Sequence, residues 1–271
     1  MNFAIICSTK DIAGMNIKNC LIENFDFKKC SMFDSYDVYE YNNLKLYTTD
    51  RDSIMCENID KEISADIFIF ATKHQSASGI HSLCVHSPGN WGHADYGGSN
   101  CEICTAPAKL LKFALLELER LNKELDLKYD VIQECTHHGP FLDKPIMFIE
   151  IGSNEESWKR KDAGVVIAKT IIYLTQNKCP NYPVAFGIGG LHHTPQFTKI
   201  MHRTEYCFGH VCPKYRLDVL SCNMIKDALK KSDYMVPSSD VKIFVEWKGL
   251  GIYKDKVKIL LDELKLEFEK I

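Results

Sequence analysis

The chain has 271 residues, is 45% hydrophobic and carries a formal net charge of -3. That length allows one large α/β domain over 1–271; the hydrophobic fraction excludes a disordered chain, and the charge excludes a globally basic nucleic-acid binder while leaving room for a local basic patch. The cysteines number 12 and lack the regular spacing of a small secreted scaffold, no basic segment precedes the short apolar run at 3–9, and no apolar run approaches the ~20 residues of a membrane span; a soluble cytoplasmic protein with thiol cysteines is expected.

In chain order, the run at 3–9 reads as a strand and 11–22 as a helix. The stretch 23–64, rich in Asp, Asn and Tyr, reads as a hairpin or inserted decoration. "ADIFIFAT" at 65–72 is nearly all apolar, as in a strand buried on both faces, and "HSLCVHS" at 81–87 alternates like a strand beside it. A helix is expected over 105–125, with Thr105 as N-cap, Pro107 in the first turn and Leu110, Leu111, Ala114, Leu115, Leu118 and Leu121 on one face. Further strands are expected at 129–135, 145–151 and 183–190, with a helix over 154–177 begun by the capping box Ser153 to Glu156. A helix follows Pro195, and the tail reads as a helix at 222–231, a strand at 241–247 and a helix at 252–270. Strands alternating with helices predict a three-layer α/β/α fold with a mainly parallel or mixed central sheet.

Histidines gather where those strands end. Just inside or beyond five predicted strands stand His74, His81, His86, His93, His137, His138, His192 and His193, with Glu134 and Glu150 nearby. Open α/β sheets bind ligands outside the carboxyl ends of their strands, so this convergence marks a cleft. Imidazole is the commonest metal ligand and titrates near neutrality, and a carboxylate beside it can ligate a metal or act as a general base. Neighbouring residues on a strand face opposite sides, so one histidine of each pair, His137–His138 and His192–His193, is expected to enter the cleft. Single histidines are more often hydrogen-bonded structural residues, and the cluster rather than any member carries the reading.

Other motifs are weaker. "CEIC" at Cys101–Cys104 has metal-ligand spacing but no second pair, so two free thiols before a helix are expected. Lys73, His74, Ser76 and Ser78 in "KHQSASG" read as substrate contacts, and no G-x-S-x-G, P-loop or H-E-x-x-H motif occurs. Trp91 in "SPGNWG" can pack in the core or offer a face to a base. Lys159, Arg160 and Lys161, then Lys199 and Arg203, then Lys214 and Arg216 are the local candidates for phosphate contacts.

Four blocks, "ATKHQSASGIHSLCVHSPGNWG", "ECTHHGP", "FIEIGSNEESW" and "GIGGLHHTP", in this order, resemble the D-aminoacyl-tRNA deacylases of the archaeal and plant type. The resemblance spans nearly the whole chain. It implies a phosphorylase/hydrolase-like fold and a monomeric hydrolase that cuts the ester between a D-amino acid and the 3′ end of tRNA, with zinc, two ions per subunit, as cofactor. Residue by residue it points to Lys73, His74, Ser76, Ser78, His86, Gly89 and Asn90, to Glu134, Thr136, His137, His138 and Gly139, to Glu150 and Glu155, and to Gly189, Gly190 and His192. The family commonly reads Gly-Gly-x-His-Tyr-x-Pro in the last block, and here His193 replaces the tyrosine.

The resulting expectation gives Glu134, His86, His138 and His192 to catalysis and His137, His138, His192 and Glu150 to the metal. Substrate contacts fall to Lys73, His74, Ser76, Ser78, Asn90, Trp91, Thr136, Gly139, Gly189, Gly190, Lys159 and Arg160. Two other readings stay open: a zinc-dependent peptidase or amidohydrolase on small substrates, and a non-catalytic tRNA-binding module.

Overall fold

The computed structural model describes residues 1–271. The apolar run Phe3–Ser8 forms β1, and Asp11 opens α1 (Ile12–Asn24) by accepting from the backbone N–H of Gly14 at 2.8 Å. The stretch that read as a hairpin or decoration opens with a hairpin and continues into a strand of the central sheet. β2 (Lys28–Phe33) and β3 (Tyr36–Tyr41) pair antiparallel, and β4 (Leu44–Thr49) pairs antiparallel with β3 and parallel with β1. After the short α2 (Ile59–Glu62) come β5 (Ile67–Lys73), β6 (Ser82–His86), α3 (Ala108–Glu124), β7 (Asp130–Gln133) and β8 (Ile146–Gly152). Then follow α4 (Glu155–Lys159), α5 (Lys161–Gln176), β9 (Val184–Ile188), α6 (Pro195–Arg203) and β10 (Cys207–Cys212). The chain closes with α7 (Cys222–Lys231), β11 (Lys242–Val245), α8 (Lys254–Glu263) and β12 (Glu269–Lys270).

The strands form a mixed sheet of eight in the order β2-β3-β4-β1-β5-β8-β6-β7, and a parallel sheet of four in the order β10-β9-β11-β12. In the large sheet β4, β1, β5 and β8 run parallel, while β6 and β7 run together and antiparallel to β8. One face of it is covered by α1, α3 and α5, whose Ile17, Leu111, Leu115 and Val166 join Ile5, Ile69 and Ile149 in the largest apolar core. The other face carries Ile6, Phe68, Phe70 and Phe148 under α2 and loop residues such as Cys104 and Leu142. The small sheet contributes Ala185, Phe208 and Val211 to the largest core and packs its other side against α7 and α8 through Ile225, Leu229, Val257 and Leu261. No helix is long and apolar enough to cross a membrane.

Several expectations shift. β6 lies beside β8 rather than β5, because β8 inserts between them. The helix after "CEIC" starts at Ala108 with Pro107 in the cap position, since the Thr105 carbonyl is occupied by the Ile146 N–H. The capping residue before Glu155 is Asn154, not Ser153, and its side chain accepts from Ser157 N at 3.1 Å. The expected single helix over 154–177 breaks at Arg160, whose backbone is extended at φ -67, ψ 115. The Asn16 side-chain amide donates to the Trp158 carbonyl freed there and to the Arg160 carbonyl, which also accepts from Gly164 N–H. The last helix stops at Glu263, because Leu264, Leu266 and Phe268 turn back onto the core and lead into β12. β10 was not anticipated.

Candidate active site

Cross-strand partners share a face of a sheet. Phe70 and Thr72 on β5 pair with Phe148 and Glu150 on β8, which pair in turn with His86 and Cys84 on β6. These six residues form the floor of the site. It therefore lies on a face of the large sheet rather than at one edge. The carboxyl ends of β6 and β7 point opposite to those of β5 and β8, so the strand-end rule places the histidines correctly in sequence but not in space.

Above this floor runs Glu134–His138, stitched between the two sheets. Glu134 N donates to Val85 O of β6 at 3.0 Å, Cys135 N to His192 O at 2.8 Å, and Thr136 N to Val211 O of β10 at 3.0 Å. Thr194 Oγ1 donates to the Gln133 carbonyl at 2.5 Å. These bonds bring His192 and His193, which follow β9 in the second sheet, to the same carboxylate as His74, which follows β5 in the first.

Glu134 is 1% exposed and faces four imidazoles. His74 Nδ1 lies 2.8 Å from Oε1 and His193 Nε2 3.6 Å from it, while His192 Nε2 and His137 Nε2 lie 3.5 and 3.8 Å from Oε2. Neither oxygen receives an aligned hydrogen bond. Burial pushes this carboxyl up, and the imidazoles of His192, His74 and His137 outweigh it and hold it well below the usual range. Burial pulls His192 down, but the Cys135 thiol and Glu134 carry it up to about 10. For His74 burial works downward and is outweighed by Glu134 and Glu150, so its pKa is raised. His137 and His138 are driven down by burial and by neighbouring imidazoles, His138 to about 3.

The donor atoms available to a metal can be read from the tautomers. His137 Nδ1 lies 2.8 Å from the Cys135 carbonyl and His138 Nδ1 2.6 Å from the Gly139 carbonyl. A carbonyl only accepts, so both protons sit on Nδ1 and both Nε2 lone pairs are free. His86 is fully buried with neither ring nitrogen bonded, beside Phe148 and within 4.3 Å, centroid to centroid, of His137. Glu150 Oε1 accepts from Thr72 at 2.7 Å, which leaves Oε2 3.8 Å from His86 Nε2 and 3.9 Å from His74 Nδ1. Four groups can each close on an ion: His86–His137–His138, Cys135–His137–His192, His74–Cys84–Glu134 and His86–Glu134–Glu150. The buried nitrogens of His86 and oxygens of Glu134, which receive no hydrogen bond, are what a zinc-type ion requires.

Both members of each histidine pair enter the site, against the alternation expected on a strand. β7 ends at Gln133 and β9 at Ile188, so the pairs lie beyond the pleat, and His138 has a left-handed φ of 46. Asn90, Trp91, Thr136 and Lys73 line the cleft in front of His137 and His138. Trp91 is 2% exposed, stacks on Phe186 and donates to the Thr136 carbonyl at 3.0 Å, so most of its ring is core. Gly139 is where the loop at 95–98 crosses; a Cβ there would stand 2.3 Å from Gly98 N. Ser76 lines a second cleft beyond His74, whereas Ser78 lines neither and bonds Ser76 Oγ at 3.0 Å. Gly189 and Gly190, at φ 104 and 82, turn the chain from β9 toward His192 without lining either cleft.

Lys159 and Arg160 are not brought to the site. Lys159 pairs with Glu155 at 2.6 Å, and Arg160 with Asp162 while lying over the Tyr129 ring. His81 bonds Ser157 Oγ at 2.6 Å and His93 is exposed in a loop. The "CEIC" thiols stay free, with Cys104 donating to the Pro140 carbonyl, and no cysteine is in a disulfide. Sequence reasoning missed Cys135, although it stands inside "ECTHH". It also missed Tyr215, whose hydroxyl lies 3.2 Å from His192 Nδ1 and 3.3 Å from Cys135 Sγ, and for which no local signal exists. His210, in the unanticipated β10, binds Thr136 Oγ1 through Nδ1 and the Cys104 carbonyl through Nε2, both at 3.0 Å.

Comparison with known proteins accords with this arrangement. A family profile described as D-aminoacyl-tRNA deacylase matches residues 61–269. The curated D-aminoacyl-tRNA deacylase of Pyrococcus furiosus is 40% identical over 276 residues, covering 98% of this chain and 99% of its own. That of Methanosarcina mazei is 35% identical over 240 residues, 84% of this chain and 80% of its own. A crystal structure of a conserved protein of unknown function superposes with a TM-score of 0.87 at 29% identity, over 99% of this chain and 95% of that one. A site that unites all four sequence blocks, matched over nearly the full chain, makes this protein a member of the D-aminoacyl-tRNA deacylase family.

Proposed function

We propose that the chain hydrolyses the ester joining a D-amino acid to the 3′ end of tRNA, releasing free tRNA and the D-amino acid. The observation that carries this is the buried Glu134 carboxylate ringed by His74, His137, His192 and His193 at the junction of two clefts. An ester needs an activated water on the carbonyl and a proton for the departing ribose oxygen, and a carboxylate among imidazoles supplies both.

Glu134, held as the anion, takes the proton of the attacking water. His192, held protonated by Glu134 and Cys135 and steadied by the Tyr215 hydroxyl, gives its Nε2 proton to the ribose oxygen as the carbonyl–oxygen bond breaks. His74 stays against Glu134 and fixes the orientation of the carboxylate. We propose zinc as the cofactor, two ions per subunit, with His86, His137 and His138 as the first set of ligands and Glu150 beside His86. Bound there, zinc supplies Lewis-acid polarisation of the ester carbonyl and eases deprotonation of water near neutral pH. A monomer working in the cytoplasm, where tRNA is charged, belongs to the same reading.

The test is release of amino acid from D-tyrosyl-tRNA and from L-tyrosyl-tRNA, with and without chelator and with zinc restored. D-selective hydrolysis lost to chelator and regained with zinc is the expected result. No release from either ester in the presence of zinc would end the reading.

A further inference from the structure

Two clefts, not one, open from the histidine wall. They share His74, Gln75 and His192 and have volumes of about 560 and about 1020 Å³. An aminoacyl-tRNA ester also has two unlike halves, a small cationic amino acid and a polyanionic nucleotide chain, joined at the bond to be cut. The question is which cleft takes which half.

The walls of the clefts differ. The smaller one is lined by Asp11, Asp52, Asp95 and Glu150 and by Lys10, Lys73 and Arg216; Lys10 faces Asp52 at 4.0 Å, Asp11 is taken by the Gly14 and Lys73 backbone N–H groups, and Glu150 by Thr72 and the metal set, which leaves Asp95 as its free carboxylate. Phe148, Trp91 and Tyr96 supply apolar wall. That apolar wall suits an aromatic side chain, with Asp95 left for an α-ammonium group. The larger cleft runs along α6, where Pro195, Lys199, His202 and Arg203 stand on one helical face. Lys199 and Arg203 are exposed and have no carboxylate partner. Of the two acids on its wall, Glu119 is already paired with Lys123 at 2.6 Å, which leaves Asp130. The larger cleft thus presents two free cations against one free carboxylate, in nearly twice the volume.

We propose that the larger cleft holds the sugar–phosphate chain of the 3′-terminal nucleotides, with Lys199 and Arg203 on its phosphates, and that the smaller cleft holds the D-aminoacyl group. The ester then lies between His74 and His192, two of the three residues common to both. This assignment rests on the deacylase reading and deepens it. Contacts to phosphate position a substrate without reading its sequence, as an enzyme serving many tRNAs requires.

The experiment compares the wild type with the double variant Lys199→Glu/Arg203→Glu on D-tyrosyl-tRNA and on 3′-(D-tyrosyl)adenosine, which keeps the ester and lacks the phosphates. The ratio of kcat/KM for the tRNA to that for the nucleoside ester should fall about 10-fold or more, and the salt dependence of kcat/KM on the tRNA should flatten by about 1.4 in log–log slope, two single-strand phosphate contacts' worth. Charge reversal of the exposed Lys226 and Lys230 on α7 is the control for net charge and should leave the ratio and the slope where they were. An unchanged salt slope in Lys199→Glu/Arg203→Glu, or an equal loss on both esters, overturns the assignment. Wild-type protein inert on D-tyrosyl-tRNA instead overturns the deacylase reading itself, a result that no behaviour of the variant can imitate.

Discussion

His192 Nε2 lies 3.5 Å from Glu134 Oε2, although one residue follows a strand of the four-stranded sheet and the other a strand of the eight-stranded sheet. The pair is the point where the two sheets meet chemically. Backbone bonds from Cys135 to His192 and from Thr136 to Val211 fix it there, so its geometry depends on both cores at once.

Replacing Glu134 by Gln keeps the shape and removes the charge. Loss of the proton acceptor and of the anion that keeps His192 protonated should reduce turnover of D-tyrosyl-tRNA by ~10²-fold or more. Circular dichroism and the thermal midpoint would show whether the variant is folded. A folded variant with near wild-type turnover would remove Glu134 from the mechanism.

Metal removal has a readout apart from activity. Protein purified without chelator should contain zinc by elemental mass spectrometry. Dialysis against chelator should lower its thermal midpoint, because a ligand present at 100 times its Kd contributes roughly 2.7 kcal/mol to the folded state. Identical melting of dialysed and zinc-restored protein would show that the donor groups hold no ion.

His210 predicts an acid-side loss of stability. Its ring is buried and bonded at both nitrogens, and burial drives its pKa from 6.5 to about 3. A group depressed in the folded state contributes stability that is complete above the unfolded value of 6.5 and is lost as pH falls toward 3. The urea midpoint should therefore drop between those values. His210→Leu should cost about 1–3 kcal/mol at neutral pH, because the Thr136 hydroxyl and the Cys104 carbonyl lose their partner. It should also flatten the acid decline, and an equal slope in both proteins would contradict the role.

Gly139→Ala tests the crossing of the second motif over the loop at 95–98. The new Cβ would meet backbone at 2.3 and 2.4 Å, at Gly98 and Gly97, where no side chain can swing away. A loss of about 1–3 kcal/mol is expected, with reduced activity through displaced His138. A neutral substitution in a denaturant titration would mean that the crossing relaxes freely.

The sequence by itself determined most of the local elements and pointed to most of the imidazoles and carboxylates that the structure brings together. Continuous apolar runs such as Ile67–Lys73 and Ile146–Gly152 can bury both faces only as interior strands, and the helical stripe from Leu110 to Leu121 permits one reading. His74, His86, Glu134, His137, His138, Glu150 and His192 were legible because each stands inside or just beyond such a run. β10 was not, because the Gly209–His210 pair interrupts the apolar residues of Cys-Phe-Gly-His-Val-Cys, and His210 is accommodated only by buried partners from elsewhere in the chain. The direction of β6 and β7 was also hidden, since a strand's own residues do not state which neighbour it joins. Only the tertiary structure decided that the site lies on a sheet face, that both histidines of each pair enter it, that Tyr215 and Cys135 support His192, and that Lys159 and Arg160 stay away. Those facts depend on contacts between residues far apart in the chain, and periodicity carries no information about them.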